Sequence, residues 1–194
     1  MEGSIFIAGA GVQWLRDRMK FFKKAPETEK IIKSLNSNNG IYLVPAFTGL
    51  GAPHWNANSR GVLSGITRDT SPKEIIRATI EAVAYQTYDL FEAMKHDGLR
   101  PRIVKVDGGM VMNNWFSQFL SDVVNVKVLR PKVQETTAAG AAFMAGLKIG
   151  VYKSLKDISK NWHLDRSFSP KMKNSSRKDL IKGWTTAIKR TLIN

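Results

Sequence analysis

The chain has 194 residues, of which 43% are hydrophobic, and a formal net charge of +14. That length and composition suffice for one sizeable hydrophobic core, so we expect a single domain with a helical appendage. There is no cysteine, which excludes disulfides, thiolate catalysis and cysteine-based metal sites. The three histidines lie far apart and lack the spacing of metal ligands, and we therefore predict no protein-held metal.

The sequence has no apolar run long enough to span a bilayer, and its acidic start, Met1-Glu2, is unlike a secretory signal. We therefore predict a cytoplasmic protein without a membrane span. The lysines are scattered and do not form a stripe with exposed aromatic residues, so we predict that they are solvated and bind no nucleic acid.

The first segment predicts a strand, a turn and a helix. Residues 5–8 favour a strand, Gly9 begins a glycine-rich turn, and residues 12–19 begin a helical pattern. Gln13 is spaced so that its amide can lie beside whatever the turn admits. Because the chain enters this pattern almost at its first residue, we expect the first strands of the domain to be missing.

The next segment predicts a short helix and two strands. The helix covers residues 27–35, and the strands cover residues 41–44 and 60–66. Between the strands, residues 47–55 combine aromatic side chains with glycine and proline. Such a composition is typical of a rigid loop, and a substrate lid is the alternative.

The clearest helix is predicted over residues 72–97. Ser71 as N-cap, Pro72 at the first helical position and Glu74 at the third form a capping box, and apolar residues follow at helical spacing. Within this helix, Glu81 lies among apolar neighbours. A buried carboxylate is a candidate acid or base, but a structural hydrogen bond is the more common role, and we favour it.

A second strand, turn and helix follow. Residues 102–106, which are rich in β-branched side chains, run into Gly108 and Gly109, where the lack of Cβ atoms lets a ligand approach the backbone. Asn113 lies one helical turn beyond Gly109. The alternative is a turn that needs glycine only for its φ angles. Since a glycine and a carboxamide share this spacing twice, the two units predict a nucleotide site if they converge.

The remaining segments complete an α/β pattern. Residues 126–129 predict a strand, and residues 138–147 predict an alanine- and glycine-rich helix that packs tightly against a neighbouring layer. Residues 152–160 are read as a polar connector, residues 165–175 as a loop, and residues 176–193 as a C-terminal helix. Alternating strands and helices indicate a layered α/β domain.

Several motifs resemble those of the FGGY carbohydrate kinases, and of the glycerol kinase group within that family in particular. They are residues 8–17, 45–55, 61–66 and 74–81, and the run Val106-Asp107-Gly108-Gly109. The resemblance covers nearly the whole chain. It implies a single nucleotide-binding domain over residues 1–194, a partial ATPase domain of the actin, Hsp70 and sugar-kinase type (ribonuclease H-like), with a mixed sheet flanked by helices.

The resemblance also implies the ligand and its contacts. In that group, ATP is bound at positions that match Gly9, Gln13, Gly109 and Asn113, and Mg²⁺ arrives with the nucleotide. These are the residues that the two glycine and carboxamide units already select. We assign no catalytic residue, because Asp107 is placed by the resemblance beside the adenosine and away from the transferred phosphoryl group.

Three functions follow as hypotheses. The first is the carboxyl-terminal, nucleotide-binding part of an enzyme that phosphorylates glycerol with ATP. The phosphate loops, polyol site and catalytic aspartate of that group have no match here, so we expect the chain to be inactive without a separate amino-terminal kinase part, and to self-associate. The second is a stand-alone adenine-nucleotide-binding module or split-gene remnant without catalysis. The third is a basic nucleic-acid-binding protein.

Overall fold

The computed structural model describes residues 5–193. Within that range the helices, in chain order, are α1 (Gly9–Asp17), α2 (Glu27–Lys33), α3 (Pro72–His96), α4 (Asn114–Val124), α5 (Thr136–Lys148), α6 (Leu155–Ser159) and α7 (Asn174–Leu192). The strands are β1 (Tyr42–Val44), β2 (Val62–Ser64), β3 (Ile103–Lys105), β4 (Lys127–Pro131) and β5 (Leu164–Phe168). A 3-10 turn, Gly109–Met112, lies between β3 and α4.

The strands form two small sheets. β1 and β2 pair antiparallel, with Leu43 opposite Leu63. The other sheet has the order β3-β4-β5, in which β3 and β4 are parallel and β4 and β5 are antiparallel. Helix α4 connects the parallel strands β3 and β4 and packs against β4. Val128 of β4 is fully buried. The mixed sheet flanked by helices agrees with the predicted α/β class.

Helix α3 is the central element of the core. The Ser71 hydroxyl accepts the Lys73 N–H, and the Glu74 carboxylate accepts the Ser71 N–H, so the predicted capping box is present. Its residues between Ile76 and Tyr85 are buried, and α2, α4 and β1 all pack against it. A satisfied amino-terminal capping box and a buried middle make α3 the frame against which the other helices pack.

Helix α7 closes the core through an aromatic cluster. Trp184 is completely buried and stacks on Tyr85 of α3, with the ring centroids 5.3 Å apart. Phe119 of α4 meets the same Tyr85 ring edge-on at 5.6 Å. The Trp184 Nε1–H donates to Asp89 at 2.7 Å, so the one polar atom of the indole is satisfied.

Three predicted features are wrong. Residues 5–8 form no strand, and α1 begins directly at Gly9, because no neighbouring strand within residues 5–193 pairs with this segment. The loop predicted over residues 165–175 contains most of β5, whose side chains are exposed at four of five positions, so the usual apolar alternation is missing. The connector contains α6, a single short helix capped by Ser154.

The alanine-rich helix α5 also differs from its prediction. Instead of packing tightly, it is largely exposed, and Gly146 is its one buried residue. Met144 is 51% exposed, and Ile149, just beyond the helix, is 77% exposed. Small residues permit close approach, but no layer within residues 5–193 covers this helix. None of the helices in that same range is both long and apolar enough to cross a membrane.

Candidate functional site

A cavity of about 350 Å³ lies between α1, α2 and the 3-10 turn before α4. Gly9 and Gln13 line it from α1, and Gly109 and Asn113 line it from the 3-10 turn and the start of α4. The chain thus brings together all four of the residues selected from the sequence, although the two pairs are about a hundred positions apart. The convergence on which the sequence prediction depends is therefore present.

The glycines of the two motifs differ in what they do for the fold. Gly108 has a φ of +83°, so the turn itself requires glycine there. A Cβ at Gly11 would lie 3.0 Å from Thr79 of α3, so glycine at this position serves helix packing. By contrast, a Cβ at Gly9 or Gly109 would meet no atom of residues 5–193 within 4 Å, beyond its immediate chain neighbours and its own helix backbone. Neither packing nor a positive φ explains those two glycines, and both line the cavity.

The amino end of α1 offers backbone donors to the cavity. Its N-cap, Ala8, has no side chain that could accept a hydrogen bond from the first turn. That turn carries no acidic residue, so the partial positive charge of the helix end is not offset locally. An acceptor-rich or anionic ligand group beside Gly9 would meet the first-turn backbone of α1 and the favourable field of the helix end.

The two carboxamides differ in how tightly they are held. Asn113 is the N-cap of α4: its Oδ1 accepts the Phe116 N–H at 3.0 Å, and its Nδ2 donates to Thr28 Oγ1 at 3.4 Å. The Gln13 side chain is exposed and makes no hydrogen bond with any residue in the range 5–193. One amide is therefore pre-positioned, and the other is free to turn toward a ligand.

Helix α2 supports the Asn113 side of the cavity. Besides the Thr28 contact, the Glu29 carboxylate accepts the Asn114 N–H at 3.3 Å and the Lys33 ammonium at 2.6 Å. Burial raises the pKa of Glu29, but these two hydrogen bonds outweigh it, and the pKa is lowered overall. Glu29 is thus ionised at neutral pH and placed at the amino end of α4, where a negative charge is stabilising. Sequence reasoning missed α2 as part of this site.

The carboxylates considered as catalytic groups lie elsewhere. Glu81 is fully buried, and its oxygens accept Arg77 Nε at 2.7 Å, Tyr85 Oη at 2.9 Å and Asn38 Nδ2 at 3.2 Å. Burial raises the pKa of Glu81, against the opposing charge of Arg77. This is the structural role favoured from the sequence. Asp107 is exposed and does not line the cavity. Within residues 5–193, no group of three or more metal-binding side chains is assembled.

Comparison with known proteins decides the family. Residues 1–149 match the C-terminal domain of the FGGY family of carbohydrate kinases. The chain belongs to that family. Glycerol kinase 1 of Pseudomonas aeruginosa is 54% identical over 190 residues, which cover 98% of this chain and 38% of the relative. Glycerol kinase of Gluconobacter oxydans is 49% identical, covering 99% and 38% of the two chains.

Solved structures agree with this FGGY assignment. Glycerol kinase of Plasmodium falciparum, solved with ADP, superposes with a TM-score of 0.87 at 36% identity, over 99% of this chain and 38% of its own. Xylulose kinase of Lactobacillus acidophilus, at 22% identity and a TM-score of 0.78, shares the fold. The predicted sugar-kinase fold is confirmed. The chain spans about two fifths of the length of these relatives.

Proposed function

We propose that this FGGY domain is the nucleotide-binding part of an ATP-dependent glycerol kinase, which forms glycerol 3-phosphate. The glycerol kinases that it resembles over nearly its whole length support the choice of acceptor. The related structure solved with ADP supports the choice of donor. We place the reaction in the cytoplasm, where ATP is available, and propose that Mg²⁺ arrives bound to the nucleotide phosphates.

The proposal rests on two glycines of the cavity lining at which an added Cβ would point into open space. Gly9 and Gly109 face it with bare backbone, and protein packing gives no reason for either glycine. A flat base or a ribose approaching within van der Waals distance requires such positions. The site also suits a nucleotide in chemistry, because two neutral amides can donate to and accept from a base or sugar without adding charge.

In this account each residue has a separate task. Gly9 and Gly109 admit the nucleotide, Asn113 contributes an amide already fixed by its α4 cap, and Gln13 turns inward when the ligand binds. The ATP supplies the transferred phosphoryl group. Phosphoryl transfer depends mostly on positioning and charge stabilisation, and this domain would provide the nucleotide side of that positioning.

We further propose that the 194 residues alone do not phosphorylate glycerol. The only carboxylate found fully buried within residues 5–193, Glu81, is committed to Arg77, Tyr85 and Asn38, and it lies outside the cavity lining. A general base and a polyol site would have to come from an amino-terminal kinase part, in the same protein or in a partner chain. A stand-alone adenine-nucleotide-binding module remains the second candidate, because the cavity by itself explains binding and not transfer.

A titration of ATP into the chain, followed by calorimetry, tests this proposal. Wild type should bind saturably, and Gln13→Ala should weaken binding by about 1 kcal/mol, the scale of one net hydrogen bond. Gln118→Ala, a glutamine of α4 that does not line the cavity, is the matched control and should bind like wild type. Equal affinity in wild type and Gln13→Ala would remove Gln13 from the site. No saturable ATP binding by wild type would contradict the proposed function.

A further inference from the structure

A second concave surface, which we call the basic groove, lies between the carboxyl-terminal half of α3 and α7. It has a volume of about 630 Å³ and shares no lining residue with the cavity described above. Its lining contains a single acidic residue, Glu92. The basic residues that line it are Lys95, Arg100, Arg177, Lys178 and Lys182.

Little of this positive charge is neutralised by the protein. Lys95 pairs with Glu92 at 3.4 Å, and the Arg177 guanidinium donates to the neutral Asn174 side chain at 3.0 Å. Arg100, Lys178 and Lys182 form no ion pair with any residue from 5 to 193. Within residues 5–193, four of the five cations in the groove therefore have no carboxylate partner, Arg177 included.

The arrangement costs stability in the free protein. Lys178 and Lys182 are four residues apart on α7, so they are neighbours on one helix face, where like charges repel. Arg100 adds a third positive charge from the connection between α3 and β3. Because a bound polyanion would convert this repulsion into attraction, the cluster is better explained by a ligand than by the fold.

The inner surface of the basic groove is apolar. Val124 is buried, and Phe91 and Ile181 are half-buried beside it. Low-dielectric walls strengthen the attraction between the basic side chains and an anion, and they concentrate the field within the groove. The volume lies within the range of sites for small ligands, and the cations are gathered in the groove instead of following an extended stripe.

We propose that the basic groove binds a small ligand carrying two or more phosphate groups. Arginine and lysine are the side chains that recognise phosphate, and those of α7 stand opposite Lys95 and Arg100. A single phosphate or carboxylate would leave most of these cations unpaired. The inference is independent of the proposed nucleotide site, because the two surfaces have no residue in common.

The test is a calorimetric titration of tripolyphosphate into the full chain at about 150 mM salt, where exposed charges are largely screened beyond about 8 Å. Wild type should bind saturably. The double variant Lys178→Gln, Lys182→Gln should lose affinity for tripolyphosphate by about tenfold or more, since it removes two charge-assisted contacts. The matched control Lys148→Gln, Lys156→Gln removes two exposed lysines outside the groove and should bind like wild type.

Three further variants keep the result unambiguous. Lys178→Arg with Lys182→Arg retains the charge and should retain affinity within about twofold. Gly109→Val alters the other cavity and should leave tripolyphosphate binding unchanged. If the glutamine pair on α7 does not fold, as judged by circular dichroism, Arg100→Gln on the opposite wall tests the same loss. The proposal is overturned if wild type shows no saturable binding, if the control pair weakens binding equally, or if Gly109→Val abolishes it.

Discussion

Asn113 Oδ1 accepts a hydrogen bond from the Phe116 N–H, with 3.0 Å between oxygen and nitrogen. The side chain proposed to contact the nucleotide is therefore also the N-cap of α4. Its Nδ2 reaches Thr28 of α2 at 3.4 Å, which leaves one amide hydrogen for a ligand. Asn113 therefore serves both the stability of α4 and the proposed ligand contact. Truncation of its side chain to alanine would change stability and ATP affinity together.

Substitutions at Asn113 can separate its two roles. Asn113→Ala removes the cap and should lower the free energy of unfolding by about 1 kcal/mol, as well as weakening ATP binding by about 1 kcal/mol. Asn113→Asp keeps a capping oxygen but loses the Nδ2 donor, so stability should be close to wild type while ATP binding is still weakened. Urea unfolding and ATP calorimetry on both variants measure the two effects. An Asp variant that binds ATP as well as wild type would show that the Nδ2 donor is not used.

The purified chain should form no glycerol 3-phosphate from ATP and glycerol. One wall of a cleft can hold the nucleotide, but it leaves the phosphoryl group and the acceptor unaligned. A coupled assay for ADP release with and without glycerol measures this directly, and a full-length glycerol kinase provides the positive control. Glycerol-dependent turnover by the chain alone would refute the prediction.

The uncovered apolar side chains predict self-association. Met144 and Ile149 at α5 are each more than half exposed, and so is Ile103 on β3, one edge of which has no partner strand within residues 5–193. Exposed apolar residues and an unpaired strand edge are both surfaces that associate with other chains. Size exclusion with light scattering should show oligomers, and adding the amino-terminal part of a glycerol kinase should raise the melting temperature and the monomer-sized fraction.

A variant controls for the cause of that association. Met144→Gln with Ile149→Gln should reduce the oligomer fraction. Ile66→Gln should not, because it removes a comparably exposed apolar residue that lies outside α5 and β3. A sharply melting, strictly monomeric wild-type chain would instead show that the described segments close a core by themselves.

The parts of the fold that were predictable are those fixed by local chemistry. Ser71, Pro72 and Glu74 specify the start of α3 through hydrogen bonds within four residues, so the sequence contains the whole cause. The pairing of a glycine with a carboxamide was also visible at both site motifs. Whether the two motifs meet at one cavity depends on how α1 and α4 pack against α3, which residue spacing does not determine. The family resemblance supplied the expectation that both motifs contact the same nucleotide.

The wrong predictions concern segments whose state depends on distant partners. Residues 5–8 have strand propensity but lack a neighbouring strand within the described range, whereas the exposed β5 is a strand because β4 pairs with it. Helix α5 has the composition of a tightly packed helix, yet nothing in the same range covers it. The supporting role of Thr28 and Glu29 was missed because no local pattern links α2 to the Asn113 cap.

The most direct test of the nucleotide site is ATP binding by Gly109→Val. A Cβ at this position meets no atom of the described residues within 4 Å, so the variant should fold, yet its side chain would fill the space that the nucleotide needs. Gly140→Val in α5 is the matched control, because its Cβ also points into open space but away from the cavity. Calorimetry should show no detectable ATP binding by Gly109→Val and wild-type affinity for Gly140→Val. Normal ATP affinity in a folded Gly109→Val variant would contradict the assignment of this cavity as the nucleotide site.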